Sequence, residues 1–541
     1  MNLHSHTRSI ADKCHDIWIS PDRFTKNPDI VQTREGRLLL VYSDNDQHWS
    51  QENQILTILA SDDLGKTWFK LSEVDCANLA EGDERLVTPR LSCLSDGRLV
   101  VLIDHDDYSH FHEEQSFGNW LYWSNDDGKT WSPPQTNEIP GFEPDRVCEL
   151  PNGSLAVVSH VMRGKSMEFA VVITVSKDRG KTWKEFATVA HDGYHRFCEG
   201  ALVQFKTAQG NNELAVLMRE NHCSGLPGFV SFSRDGGHNW TAPQMLPFHF
   251  HRPYGKQLPD GRVMVTGRNL LGGIGTYAWA GNLKEEAGYY EIGGPMAEYK
   301  AYFENGLFVI ENGPELDCRY SMLPPENPKS EIIFEAELKL EGTDDKAAAF
   351  LSLCGLNLHG HNGVVIHIAP NWIMLNDRGM DFAKKIDMRQ FRNIKIHCRR
   401  GLLTVEADGK VLISQSVFHE GQHYGDWYSP LPGGRMQFGQ LGDEGKSYWK
   451  TVHCRIINPS MPDFDYSWNA ADGKYPDAYQ RERLTLIHSN VHPRIKSWPD
   501  HGYSSWLILE DGSIMFVDYT NCGDKPGKSH LVGARFRPED V

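Results

Sequence analysis

Short apolar runs recur along this chain, each introduced by a polar turn that usually carries glycine. The copies read "REGRLLLVY" from Arg34, "SDGRLVVLI" from Ser95, "PNGSLAVVS" from Pro151, "GNNELAVLM" from Gly210, "PDGRVMVTG" from Pro259 and "EDGSIMFVD" from Glu510. A β-branched or leucine-rich run of this length after a tight turn, with an apolar stretch before it, predicts strand, turn, strand. A second repeat is interleaved with the first. "SDDLGKTW" at Ser61, "SNDDGKTW" at Ser124, "SKDRGKTW" at Ser176 and "SRDGGHNW" at Ser233 share the frame S-x-D-x-G-x-x-W. Its Asp and Gly suit a tight turn, its Ser can bond local backbone, and its Trp provides an apolar plug between neighbouring units. Self-similarity at this spacing indicates a radial or solenoid repeat. Six units of about four strands predict a six-bladed β-propeller. "HDIWIS" near the start is expected to supply the outer strand of the last unit beside "HLVGARFR".

The rhythm breaks between residues 285 and 470, where the frame is absent. "EIIFEAELKLEG", "NGVVIHIA", "FRNIKIHCRRGLLTVEADGKVLIS" and "GGRMQFGQLG" alternate apolar and polar positions as antiparallel strands do. The expected organisation is all-β: propeller units over 1–284, an inserted β-sandwich over 285–470, and the last unit with ring closure over 471–541. In pattern the insert resembles the concanavalin-like jelly roll of carbohydrate-active proteins. That resemblance implies a lectin-like sugar-binding module or a packing and homo-oligomerisation surface, two readings the sequence leaves open.

Composition narrows the partners. The chain has 541 residues, 40% hydrophobic and 23% charged, as soluble globular proteins do. A formal charge of −17 with no basic stripe argues against nucleic acid. No apolar run approaches the roughly 20 residues of a membrane span. The start lacks the apolar region of a secretory signal, so the expected location is cytoplasmic, or secreted or periplasmic if a leader has been removed. The 11 cysteines are scattered singly, which predicts neither a disulfide framework nor a metal site. No cofactor is expected.

The four S-x-D-x-G-x-x-W frames resemble the Asp boxes (BNR repeats) of the sialidase, or neuraminidase, superfamily. This resemblance implies a catalytic centre at the central mouth of the propeller, with three arginines for a substrate carboxylate, a Tyr–Glu nucleophilic pair and an acid/base. "HGYSSWLILEDGSIMFVDYTN" is similar to the family's last-blade segment and puts Tyr503 on the nucleophile. A phenol suits a substrate whose anomeric carbon bears a carboxylate, because it is neutral until a base takes its proton. Glu199 in "RFCEGALVQF" matches that base. Arg219 in "NNELAVLMREN" and Arg268 in "DGRVMVTGRN" match two carboxylate-binding arginines, with Arg252 in "FHRPYG" in reserve.

Two departures matter. The family's first arginine is replaced in "FTKNPDIVQTREG" by Lys26 and Asn27, and its buttressing glutamate by Asp518 in "FVDYTN". A lysine is a point charge and cannot form the guanidinium fork. The acid/base belongs to the loop "YSDNDQHWSQENQ", where Glu52 is nearest the expected position and Asp46 is the alternative. The ionisable loop "LIDHDDYSHFHEEQ" offers Asp104 as a substrate contact and His105 as an acid/base of a different kind, and Arg90 and Arg146 start inner strands with positive charge. Three functions are consistent with these residues: an exo-acting hydrolase releasing a terminal acidic sugar, a uronate-directed lyase or rhamnosidase-type enzyme, and a non-catalytic glycan-binding propeller.

Overall fold

The computed structural model describes residues 8–541 except 107–116, 137–138, 164–167, 194, 222–226, 270–273, 289, 291, 296–298, 314–315, 324, 326–328, 355–363, 378–379, 418–435, 443, 460–462, 490–498 and 524–526. Almost all regular structure is strand. Six small sheets follow one another, each beginning with the strand nearest the common axis. The first runs Phe24–Gln32, Leu38–Asn45, Asn53–Ser61, Phe69–Asn78 in that spatial order. The second uses Arg85–Cys93, Leu99–Asp106 and Phe117–Ser124, with Gln135 bridging to Leu121 as a vestigial outer strand. The third starts at Cys148–Glu149, the fourth at Phe197–Lys206, the fifth at Phe250–Gln257 and the sixth at Ser505–Ile508.

Burial explains the hydrophobic pattern. Phe24–Gln32 is buried along nearly its whole length because neighbouring sheets cover both faces, whereas outer Phe69–Asn78 is mostly open. Between sheets, Leu38, Leu40 and Leu59 of the first interlock with Met515, Val517 and Leu531 of the sixth. Each such side chain contributes about 1.5–3 kcal/mol on leaving water. The repeated frame builds the same turn four times. Ser61 Oγ lies 2.8 Å from Asp63 and accepts the Gly65 N–H at 2.8 Å, while Asp63 accepts from Thr67 N–H at 2.9 Å and Trp68 Nε1 donates to the Gly65 carbonyl at 3.1 Å. Ser124–Asp126–Gly128, Ser176–Asp178–Gly180 and Ser233–Asp235–Gly237 repeat the Ser and Asp bonds.

The ring closes by shared strands. Cys14–Ile19 pairs antiparallel with His530–Phe536, as "HDIWIS" anticipates. The fifth sheet departs from simple chain order: its third strand, Gly275–Gly281, takes as fourth partner Leu484–Ser489, with Thr276 opposite His488. Thus part of the segment assigned above to the sixth unit completes the fifth instead. The open edge of Gly275–Gly281 would otherwise bury unpaired backbone groups. Arg8–Ser9 then adds in parallel outside it.

Between those strands the chain forms two larger sheets. One is built around Glu331–Glu341, Arg392–Arg399 and Gly445–Ile457, the other around Ala349–Cys354, Val364–Ala369 and Met436–Leu441. Strict alternation turns Ile332, Phe334, Ala336, Leu338 and Leu340 inward and the intervening polar residues outward. The sheets share a core in which Phe438 meets Phe334 at 6.5 Å and Trp449 at 5.6 Å. This buried cluster is continuous with Val158, Val216 and Met245 of the third and fourth small sheets.

Candidate active site

Near the channel mouth, one residue in or just before each innermost strand has left-handed backbone. Asn27, Thr88, Glu143, Glu199 and Arg252 have φ of 55°, 51°, 45°, 49° and 49°, and Gly502 has 87°. Strand register shifts there in four of the sheets, between Lys26 and Asp29, Val87 and Arg90, Cys198 and Ala201, and His251 and Tyr254. Left-handed backbone costs a non-glycine residue roughly 1–2 kcal/mol, so a ring of such residues is strain concentrated at one place. The turn re-aims one side chain per sheet, as a β-bulge does.

In the fourth, fifth and sixth sheets these residues converge. The Tyr503 hydroxyl donates to Glu199 Oε1 at 2.5 Å. Arg219 Nη1 donates to the same oxygen at 2.9 Å, and the Arg252 backbone N–H donates to Oε2 at 2.8 Å. The guanidinium groups of Arg252 and Arg268 each lie 5.6 Å from the Tyr503 ring centre. Arg268 is oriented by the His501 carbonyl at 2.6 Å and by Asp500 at 3.0 Å. Behind the tyrosine, buried Asp518 accepts the Gly502 N–H at 3.0 Å, Thr276 Oγ1 at 2.6 Å and His488 Nε2 at 2.8 Å. Gly502 fits because a Cβ there would sit 2.5 Å from Arg268 Cβ. Asp518 thereby fixes the turn that presents Tyr503.

The electrostatics divide the acids. Burial pushes the Glu199 carboxyl up, but Arg219, Arg252 and the Tyr503 hydroxyl more than reverse this and hold it well below the usual range. Burial, then the charges of Glu199 and Glu143, push the Tyr503 phenol well above its ordinary value. At neutral pH the pair is a carboxylate accepting a phenol's proton in a short, charge-assisted bond.

A family profile described as "BNR repeat-like domain" matches residues 4–194 and 108–266. That match spans the part of the chain that carries the four S-x-D-x-G-x-x-W frames. Among solved structures, a protein of unknown function from Dyadobacter fermentans is 18% identical with a TM-score of 0.43, covering 59% of this chain and 95% of that one. Trypanosoma rangeli sialidase with 2,3-difluorosialic acid is 11% identical with a TM-score of 0.38, covering 88% and 99%. A xylan β-1,4-xylosidase from Bacillus halodurans is 11% identical with a TM-score of 0.33, covering 80% and 98%. A search of curated proteins finds no match.

The remaining residues expected at the mouth of this BNR propeller fall into two groups. Lys26 is buried, donates to the His48 carbonyl at 2.6 Å and lies 5.3 Å from the centre of half-exposed Trp49. Burial lowers it to about 8, against the pull of Asp500 and Glu143. Arg90 is buried below the mouth, lowered to about 10 by burial and by Arg252, and its Nε has no hydrogen bond among the described residues. Asp104 Oδ2 accepts the Glu143 N–H at 3.0 Å, so it supports the ring from behind.

Three others go elsewhere. Glu52 is exposed, and its described bonds are backbone ones, to Asp46 and Leu79. Asp46 closes its own loop by accepting from Ser50, Gln51 and Glu52; burial would raise it, but these bonds keep it below its usual value. His105 stacks on Trp120 at 3.9 Å and pairs with Glu84. Strand alternation explains that last result, because adjacent Asp104 faces Glu143 and His105 must therefore face the other side. His110 and His112 of the same loop lie outside the described residues.

Sequence reasoning missed Glu143, His48 and Asp500. The signal for Glu143 was present: "KNP", "VTP", "FEP" and "HRP" recur at the start of inner strands, and the residue before each proline is the left-handed one. His48 and Asp500, whose side chains meet and bridge the first and sixth units, carried no comparable pattern.

Proposed function

We propose that this BNR propeller is an exo-acting glycoside hydrolase that releases a terminal acidic sugar, with Tyr503 as nucleophile and Glu199 as its base. The observation that carries the reading is the Tyr503–Glu199 hydrogen bond flanked by Arg219, Arg252 and Arg268. As the glycosidic bond weakens, positive charge grows on the anomeric carbon and draws the phenolic oxygen in. The phenolic proton passes to Glu199 along the existing hydrogen bond. The attacking atom starts neutral, so the sugar's carboxylate does not repel it. The lyase reading rests on His105 as base, and the described contacts of that residue are with Glu84 and Trp120. The test is a panel of chromogenic α-sialosides, related ketosidic acids and uronate oligosaccharides, read for reducing sugar and for ultraviolet absorbance. Unsaturated product, or no turnover of any acidic glycoside, rejects the reading.

Two binding predictions follow from the charges. Arg268→Gln removes a guanidinium without touching Glu199. It is expected to cost an acidic ligand about 2–5 kcal/mol, as truncating a desolvated charge pair does, and a neutral analogue far less. Equal losses in calorimetry would make Arg268 purely structural. Lys26 adds a pH signature. Because its value in the folded protein is about 8, below the ordinary 10.5, it loses charge as pH rises through about 8. Affinity for the acidic ligand should weaken across that range, and Lys26→Met should flatten the profile. Stability should move the other way, gaining between about 8 and 10.5 as a costly buried charge is discharged. A wild-type binding profile flat from pH 7 to 9.5 would remove Lys26 from the site.

A further inference from the structure

The first-unit loop leaves this centre without its expected proton donor, since Glu52 is exposed and Asp46 is held ionised. The left-handed ring contains two carboxyl residues, in adjacent sheets: Glu143 and Glu199. Their surroundings differ. Glu199 is tied by Tyr503, Arg219 and the Arg252 backbone. Glu143 is fixed through its main chain: its N–H donates to Asp104 Oδ2 at 3.0 Å, and its carbonyl accepts from Arg252 Nη1 at 3.1 Å. Its own carboxyl makes no hydrogen bond or ion pair among the described residues, although the field of that carboxyl is felt by Tyr503, Arg219 and Lys26. Arg252 links the two acids directly, with its backbone on one, its guanidinium on the main chain of the other and its charge over the Tyr503 ring. A partly buried carboxyl held at the backbone and free at its tip is built to exchange a proton.

Resting on the hydrolase reading above, we propose that Glu143, from the third sheet, is the acid/base of this centre in place of any residue of the first-unit loop. In the first step the Glu143 carboxyl gives its proton to the glycosidic oxygen as the C–O bond breaks. Tyr503 Oη bonds to the anomeric carbon, and the tyrosine proton moves to Glu199. In the second step the Glu143 carboxylate takes a proton from water, whose oxygen attacks the same carbon. The bond to Tyr503 breaks, and Glu199 returns the proton to the phenolate. One water is consumed, and two hydroxyl-bearing products leave. The state of the acid agrees with the geometry. Burial first, then the neighbouring Glu199 charge, raise Glu143 to about 7 against the pull of Arg252, Arg219 and Arg90. A carboxyl at that value is protonated in a useful fraction near neutrality.

The experiment compares wild type, Glu143→Gln and Glu143→Asp on two glycosides of one acidic sugar, an alkyl glycoside and a 4-nitrophenyl glycoside. Only the alkyl leaving group needs protonation. Glu143→Gln is expected to lose at least 100-fold on the alkyl glycoside and under tenfold in cleaving the aryl one. The alkaline limb near pH 7 in wild-type kcat/KM should disappear in the aryl assay. Glu143→Asp, which keeps a carboxyl and suits a left-handed backbone, should recover part of the alkyl activity. Equal losses on both substrates, or no loss, overturn the assignment even though the enzyme is a hydrolase. If wild type turns over neither glycoside, the hydrolase reading itself fails and takes this assignment with it. Thermal midpoints of both variants separate a folding defect from a chemical one.

Discussion

Tyr503→Phe is expected to reduce turnover by about 1,000-fold or more while leaving the fold intact. The two halves of that expectation have separate causes. The phenyl ring is retained, so the packing beneath Arg252 and Arg268, each 5.6 Å from the ring centre, is preserved. Glu199 keeps Arg219 and the Arg252 N–H, so only one of its bonds is lost. That costs about 1–3 kcal/mol at most, for a hydrogen bond to a charged group. What cannot be replaced is the oxygen that attacks. Water could enter its place, but without the alignment that makes the reaction unimolecular. Single-turnover kinetics beside thermal unfolding will measure both halves, and near-wild-type kcat would refute the nucleophile assignment.

Gly502→Ala is expected to be the most destabilising small change near the site. Two costs add. An alanine at φ 87° carries about 1–2 kcal/mol of backbone strain. Its Cβ would also stand 2.5 Å from Arg268 Cβ and 2.9 Å from the Arg268 nitrogen, atoms too close to the main chain to swing aside. Relieving that contact requires shifting a strand of the fifth or sixth sheet, and overpacking of this kind costs a further 1–3 kcal/mol. Gly261→Ala is the control: φ is 92°, but nothing lies within 4 Å of its would-be Cβ, so strain acts there alone. Urea unfolding should rank Gly502→Ala well below Gly261→Ala. The folded fraction should also turn over slowly, because Tyr503 is the next residue. Equal losses would show that the close approach to Arg268 imposes no constraint.

The elements that the sequence made legible are those whose physics is local. A turn with its Asp and Gly, followed by an apolar run, specifies a hairpin without help from the rest of the chain. The same turn chemistry reappears as four nearly superimposable hydrogen-bond sets at Ser61, Ser124, Ser176 and Ser233. Tyr503, Glu199, Arg219 and Arg268 were singled out because the stretches around them resemble sialidase segments, and the fold brings the four together. The partners that complete the centre were not, because they come from loops whose course is set by contacts far away in sequence. Asp500 meets His48 and Arg268 across the ring, and no periodicity connects those positions. Glu52 was chosen by counting along a loop, which assumes the loop's length and path, and the structure leaves it exposed. Glu143 lay between these cases, visible in the x-Pro repeat yet without an obvious role until its backbone bonds were seen.

The gap in chain order within the fifth sheet has a kinetic consequence. About two hundred residues separate Gly281 from Leu484, the first residue of the strand that covers it. At 5–20 residues per second, a ribosome takes roughly 10–40 s to deliver that partner. Throughout this interval Gly275–Gly281, with Tyr277 and Trp279 among its side chains, presents an unpaired apolar edge on an otherwise finished sheet. Newborn chains held close together can satisfy that edge with one another's late strands. Yield at high synthesis rates is therefore expected to depend on how quickly the intervening two sheets fold and draw Leu484 home.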